Sequence, residues 1–187
     1  MSLQLQIIPM TNANELLFGQ AWELYEEAFP SMERREEQLH RCLLAHPQFR
    51  AGLYIQHGQM VGLLFWWQFT RICFIEHLAI SRELRGSGLG ARLLTAFLSE
   101  TDSPVVLEVE LPNDEIARRR IVFYERLGFK LNPFVYRQLP MQIGGDEVDM
   151  LLLSYPNLLT PDEFEDYKRE FRSTCFDPYL KAYFPDI

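Results

Sequence analysis

The chain is poor in cysteine, in lysine and in long hydrophobic runs, and each shortage excludes something. Three cysteines occur in 187 residues, Cys42, Cys73 and Cys175. They lack metal-ligand spacing and leave one odd, a usage that fits a reducing cytoplasm. The histidines at 40, 46, 57 and 77 show no ligand spacing either, so no metal is expected. The longest apolar run, Met60 to Trp67, is far short of the ~20 residues that span a bilayer, and no membrane partner is expected. Met1 to Met10 carries no Lys or Arg, which excludes a secretory signal peptide. Only Lys130, Lys168 and Lys181 are lysines, and the net charge is −8. Phosphate backbones are held by clustered cations, so nucleic acid is not an expected partner.

What is present describes a globular chain. Hydrophobic residues make up 48% and charged residues 24%, which excludes bulk disorder. No repeat or low-complexity linker occurs, so residues 1–187 read as a single domain. Leu3, Leu5 and Ile7 alternate with glutamines as a half-buried strand does. Thr11 or Asn12 is placed to cap a helix that reaches Pro30, with Glu15 at capping-box distance. A second, more polar helix is expected from Ser31 to about Ala45. Phe49–Gln56 and Met60–Phe69 form a hairpin across His57-Gly58. Ile72–Ile80 is almost wholly apolar, as a strand covered on both faces is. A helix follows Gly90, then a strand over Val105–Glu110. Asn113 or Asp114 caps the next helix, which Gly128 closes. Phe129–Val135 and Asp149–Leu153 complete the strands, and Thr160-Pro-Asp-Glu opens a C-terminal helix. The order implies an α/β fold around a mixed, mostly antiparallel sheet of about six or seven strands flanked by helices.

The segment Arg85-Gly-Ser-Gly-Leu-Gly90 lies between a buried strand and an amphipathic helix. Close glycines turn the backbone sharply, and a helix N-terminus favours an anion, typically a phosphate. Gly86-x-Gly88-x-x-Ala91 also satisfies a loose dinucleotide fingerprint, with Glu108 and Glu110 at ribose-binding distance. That reading implies a nicotinamide-dependent oxidoreductase. Against it, Ser81 to Arg85 separate the strand from the first glycine, and three strands and two helices precede the strand–turn unit, which in such proteins usually opens its domain. A P-loop Gly-Lys-Ser/Thr is absent.

Ile75-Glu-His-Leu-Ala-Ile80, Arg85-x-x-Gly88-x-Gly90 and Phe123-Tyr-Glu-Arg-Leu-Gly-Phe129 together resemble the signature of the GNAT-superfamily N-acetyltransferases. The likeness runs from Leu3 to Leu153. Residues 160–187 form a helical extension beyond it, available to cover the acceptor side or to pack on a second copy in a homodimer. The resemblance implies acetyl-CoA as co-substrate and transfer of its acetyl group to a primary amine on a small molecule or peptide. It implies that Arg85, Gly86, Ser87, Gly88, Leu89, Gly90 and Ala91 hold the pyrophosphate. It also implies that main-chain groups of Leu78, Ala79 and Ile80 hold the pantetheine arm as an added strand would, which requires Ile72–Ile80 and Val105–Glu110 to splay apart. Tyr124 resembles the family's general acid, although a core tyrosine on the Ile121–Leu127 stripe would read the same. One departure stands out. Where relatives carry an asparagine seven residues before this tyrosine, the chain has Ala117. Asn113 lies one turn earlier, and Arg118 to Arg120 read equally as alternative phosphate contacts or as a solvated helix face.

A base must take the acceptor's proton. Strand alternation puts Phe74, Glu76 and Leu78 on one face and Cys73, Ile75, His77 and Ala79 on the other. Glu76 has the parity of the base in relatives and is the first candidate; pairing with an arginine for structure is its competing reading. Glu108 and Glu110 are the fallback pair. No cysteine sits where a nucleophile would, so direct attack in a ternary complex is expected. A non-catalytic acyl-CoA-binding module remains the other reading. Trp22, Tyr25, Trp66, Trp67, Phe134 and Tyr136 are candidates for the acceptor pocket or the core. Glu33, Glu36 and Glu37 make a partly acidic helix, read first as a solvated face and otherwise as one that a cationic acceptor would meet.

Overall fold

Hydrophobic alternation and turn chemistry build the first half of the sheet much as the sequence anticipates. The computed structural model of the chain describes residues 6–12, 14–141 and 145–176. Leu3 and Leu5 of the first expected strand, and residues 177–187 of the extension, lie outside them. The chain runs β1 (Gln6–Pro9), α1 (Glu15–Ala28), a 3-10 turn (Ser31–Glu33), α2 (Glu37–Leu43), β2 (Phe49–Gln56), β3 (Gln59–Gln68) and β4 (Cys73–Ile80). It continues with α3 (Leu89–Ser99), β5 (Val105–Glu110), α4 (Glu115–Arg126), β6 (Lys130–Leu131), β7 (Tyr136–Gln138), β8 (Val148–Tyr155), α5 (Pro161–Phe171) and a wide turn (Arg172–Phe176). The sheet order is β1-β2-β3-β4-β5-β8-β6, with β7 also on β8. Among the described residues only β4 and β5 pair in parallel; every other pair is antiparallel.

The hairpin between β2 and β3 turns on His57 at φ 52° and Gly58 at φ 75°. Two successive positive φ values match the right-handed twist of the flanking strands. The sheet separates two cores. Phe18, Tyr25, Phe65, Trp67 and Phe74 belong to the one under α1, α2 and α5. Leu64, Ile75, Leu93, Leu107 and Leu153 belong to the one under α3 and α4.

Four expectations change. Asn14, not Thr11 or Asn12, caps α1, its side chain accepting from the Leu17 amide at 3.1 Å. The helix expected from Ser31 to Ala45 is broken. Arg34 and Glu36 are extended, because Arg35 between them turns inward to a buried partner. The strand expected over Phe129–Val135 is reduced to β6 at Lys130–Leu131, and an unanticipated strand, β7, follows it; both lie on β8, which brings the sheet to eight strands. Most consequential is a bulge in β4. Phe65 pairs with His77 and Trp66 with Ile75, so Glu76 is the extra residue. A one-residue insertion reverses the faces beyond it. Glu76, His77 and Ala79 therefore lie on the α1 side, while Leu78 and Ile80 pack on the α3 side.

His40 on α2 is fully buried among the rings of Phe18, Trp22, Tyr25, Phe49 and Phe65. Neither ring nitrogen has a hydrogen-bond partner among the described residues. Burial, then the nearby Arg35 charge, push its pKa down to about 3. The unfolded chain takes up this proton first, near pH ~6.5. The stability from a neutral His40 is thus complete above about pH 6.5 and is lost as pH falls towards 3. Replacing His40 by Leu should flatten the dependence of unfolding free energy on pH between about 6 and 4. The change should be at most about 1.4 kcal/mol per pH unit, one proton's worth, read from urea unfolding at a series of pH values. Parallel slopes in the two proteins would rule the mechanism out.

Candidate active site

The parallel pair β4–β5 holds together only at Cys73–Val105, Phe74–Val106 and Ile75–Leu107. Beyond the Glu76 bulge the two strands part, as the resemblance requires, and a cleft of about 780 Å³ opens between them. Leu78, Ala79 and Ile80 line one wall, and Arg85, Gly86, Gly88, Gly90 and Ala91 line its neighbour. Gly86 at φ 78° and Gly88 at φ 81° occupy a region that a side chain would strain. Gly88 is the N-cap of α3 and has no side chain to cap it. The amides of Gly90 and Ala91 have no acceptor among the described residues. Free amides at a helix start, on a backbone that nothing crowds, fit a phosphate.

Ser87 and Leu89, also expected to touch a ligand, have other work. The Ser87 hydroxyl donates to the Leu84 carbonyl at 2.6 Å and pins the turn, and Leu89 is buried in the core. Arg85 donates through Nε to the Ile80 carbonyl at 3.1 Å, which ties the turn to the end of β4.

Tyr124 on α4 lines the same cleft. Its ring packs on Phe123 and Phe129, and its hydroxyl makes no hydrogen bond among the described residues. Burial, eased by Arg120, pushes its pKa up to about 12, so the phenol stays protonated. Ala117 faces the core, its amide bonded to the capping Asp114 at 2.8 Å. Asn113 does not line the cleft. Arg118 donates to the Pro112 carbonyl, Arg119 pairs with Glu115 and Arg120 with Glu110. Arg126, which sequence reasoning passed over, lines the cleft and makes no ion pair or hydrogen bond among the described residues. Its place shortly after Tyr124 is a poor sequence signal; the packing of α4 on the cleft is what brings it there.

The two acidic candidates sit in opposite surroundings. The Glu76 carboxylate is sealed, its side chain 1% exposed. Arg35 grips both of its oxygens, one at 2.6 Å, and the Trp67 indole donates to it at 3.0 Å. Burial alone would raise its pKa, but Arg35 and His77 outweigh that and hold it well below the usual carboxylate range. Glu76 borders the cleft, but with both oxygens held by Arg35 and Trp67 its carboxylate is a weak proton acceptor. His77 is likewise occupied, its Nε2 lying 2.9 Å from the Glu33 carbonyl.

Glu108 lines the cleft and is only partly buried. Among the described residues no cation pairs with it. Tyr136 and Tyr167 donate to one oxygen, the latter at 2.8 Å, and Gln138 donates to the other at 2.5 Å. Burial raises its pKa to about 7 against these hydrogen bonds. Glu33 also lines the cleft, its pKa raised by burial and then by Glu110. Of the aromatic candidates, Trp67 and Tyr25 are core, whereas Tyr136 bears on Glu108. Arg35 and Tyr167 carry no signal in the sequence, because neither lies near a motif.

Breaking the buried pair leaves an uncompensated charge. Glu76→Gln should therefore destabilise the protein by about 3–5 kcal/mol in denaturant unfolding. The contribution is present above the unfolded carboxylate pKa of ~4.3 and fades as pH falls below it. A loss under about 1 kcal/mol would show the pair to be dispensable.

Comparison with known proteins agrees with this geometry. A model of the acetyltransferase (GNAT) domain matches residues 47–131. YjbC of Bacillus subtilis (strain 168), a protein assigned to the acetyltransferases, is 30% identical over 148 residues, covering 77% of this chain and 73% of its own. A GNAT-family protein from Bacteroides thetaiotaomicron superposes with a TM-score of 0.86 at 30% identity, over 91% of this chain and 98% of that one. A GNAT acetyltransferase from Elizabethkingia anophelis, solved with acetyl-CoA bound, shares the fold at TM-score 0.57 and 16% identity, over 80% and 96% of the two chains. With the parted strands, the glycine turn and this kinship together, the chain belongs to the GNAT acetyltransferase family.

Proposed function

We propose that this acetyltransferase moves the acetyl group of acetyl-CoA onto a primary amine by direct attack in a ternary complex. One observation carries the reading: the glycine turn with its free amides, Tyr124 and Glu108 all line one cleft between β4 and β5. The coenzyme supplies the activated acyl group. The Gly86–Ala91 turn and Arg126 suit its phosphates, and the unpaired edge beyond Ile75 suits its amide-bearing arm. The nicotinamide alternative lacks the strand-to-glycine junction that its fingerprint needs.

An amine that arrives as ammonium must lose one proton to free its lone pair and a second once it has bonded to carbon, and the negative charge on the leaving sulfur must be stabilised. The amine nitrogen bonds to the thioester carbon, the carbon–sulfur bond breaks, and the sulfur leaves as a thiolate. Glu108 takes the proton that frees the amine's lone pair, a role that suits a carboxyl poised near neutral pH, and the second proton passes to the departing sulfur or to water. Tyr124 donates a hydrogen bond to the departing sulfur. Glu76, first among the candidates by sequence, serves the fold through Arg35. Glu33 and Glu108 line the cleft with no cation paired to them among the described residues, and they favour an acceptor that arrives as a cation, whether small molecule or peptide. The unpaired cysteines fit a cytoplasmic setting.

Two measurements test the reading. Acetyl-CoA at about 100 times its dissociation constant should stabilise the protein by about 2.7 kcal/mol, seen as a raised Tm, and NADH should not. A shift with NADH alone would replace the acyl donor with a dinucleotide. In steady-state kinetics, kcat/KM should rise with pH through about 7 as Glu108 deprotonates. Glu108→Gln should remove that limb and about 10²-fold or more of the rate, and Tyr124→Phe should lower kcat about 10²-fold with coenzyme binding intact. Wild-type turnover in either variant would dismiss that residue's role.

A further inference from the structure

We propose that α5 belongs to the acceptor half of the active site, with Tyr167 as a positioning residue that orients the Glu108 carboxylate. The inference rests on the reading of Glu108 as the base. It gives a function to a helix that lies wholly outside the matched family domain, residues 47–131.

Phe164, Tyr167 and Phe171 form the buried stripe of α5, at helical spacing. Packing alone would be met by three phenylalanines, since a buried phenol needs a polar partner. Tyr167 has one. It is 1% exposed, its ring packs against Phe74 and Tyr136, and its hydroxyl donates to Glu108 Oε1 at 2.8 Å. Tyr136 shares that oxygen and Gln138 holds the other, so donors from two separate elements fix the plane of the carboxylate.

The choice of donors matters. Glu76 has a guanidinium, which locks its charge. Glu108 has three neutral donors, which hold its geometry and leave it able to accept a proton. The other titratable groups interacting with it are Glu76 on β4, itself held by Arg35, and Cys175 in the turn after α5.

The helix is anchored as a positioning element must be. At its start a capping box joins Thr160 and Glu163, and the Leu159 amide donates to Asn132 at 2.9 Å. Phe164 stacks on Phe134 with ring centres 4.2 Å apart. Towards its end, Glu170 accepts from the Thr70 amide at 2.7 Å.

The test is a carbon-13 NMR titration of glutamate-labelled protein, with the Glu108 signal assigned by its loss in Glu108→Gln. Tyr167→Phe keeps the ring and removes the donor. The Glu108 midpoint should move up by about one pH unit, the scale of one hydrogen bond to a charged group. The acidic limb of kcat/KM should move with it, so activity falls about tenfold near pH ~6 and returns to near wild type at about pH 9. An unmoved midpoint overturns the proposal. A midpoint that moves without the kinetic limb keeps the hydrogen bond but removes Glu108 as base, and the positioning role falls with that reading. Phe164→Leu, which loosens α5 without touching the carboxyl, should lower Tm and leave the midpoint in place. If it moves the midpoint as far as Tyr167→Phe does, Tyr167 acts through packing and the proposal is overturned. Should Tyr167→Phe not fold, 3-fluorotyrosine placed at position 167 strengthens the donor in the full chain. The midpoint should then move down, and no movement overturns the proposal.

Discussion

A carboxylate sealed in a protein interior must be paired, and the pairing of Glu76 with Arg35 organises the structure around it. To reach Glu76, Arg35 leaves the helical path, and the segment after α1 breaks into a 3-10 turn and a short α2. The Arg35 amide also donates to the Tyr25 hydroxyl, which fastens the break to α1. On the other side, Glu76 is the extra residue of the β4 bulge. Pairing of β4 with β5 ends one residue before it. The same residue therefore anchors the helical layer and marks the mouth of the cleft.

Glu76 and Glu108 show how environment divides labour between like groups. They lie on adjacent strands and on the same side of the sheet. One meets a guanidinium and is held ionised, and the other meets phenols and an amide and titrates near neutral pH. Chemical type and strand position are alike in both; the partners differ, and these come from the loop after α1 in one case and from β7 and α5 in the other. Pairs of carboxyls whose surroundings drive their proton affinities apart are a recurrent basis for acid–base assignment.

What distinguishes the glycine turn is chiefly backbone. Gly86 and Gly88 supply a conformation that other residues rarely adopt, and the start of α3 supplies unpaired amides. A site of this kind leaves a clear trace in sequence, because the glycines themselves are the signal. The proposed acceptor side is built from side chains of distant segments, and it leaves almost none.

The sequence by itself determined the elements whose causes are local: the His57-Gly58 hairpin, the glycine turn, the capped α4 and α5, and the apolar run that buries both faces of β4. Tertiary structure decided what depends on partners far along the chain. Alternation assigned Glu76 and His77 to opposite faces, and the bulge put both on one. Helical spacing carried a helix through Arg35, and a buried charge 41 residues away interrupted it. Tyr167 stands 59 residues from Glu108, and nothing in its own neighbourhood announces the contact. Periodicity records which face of an element is apolar; it does not record which polar groups meet once those faces are packed.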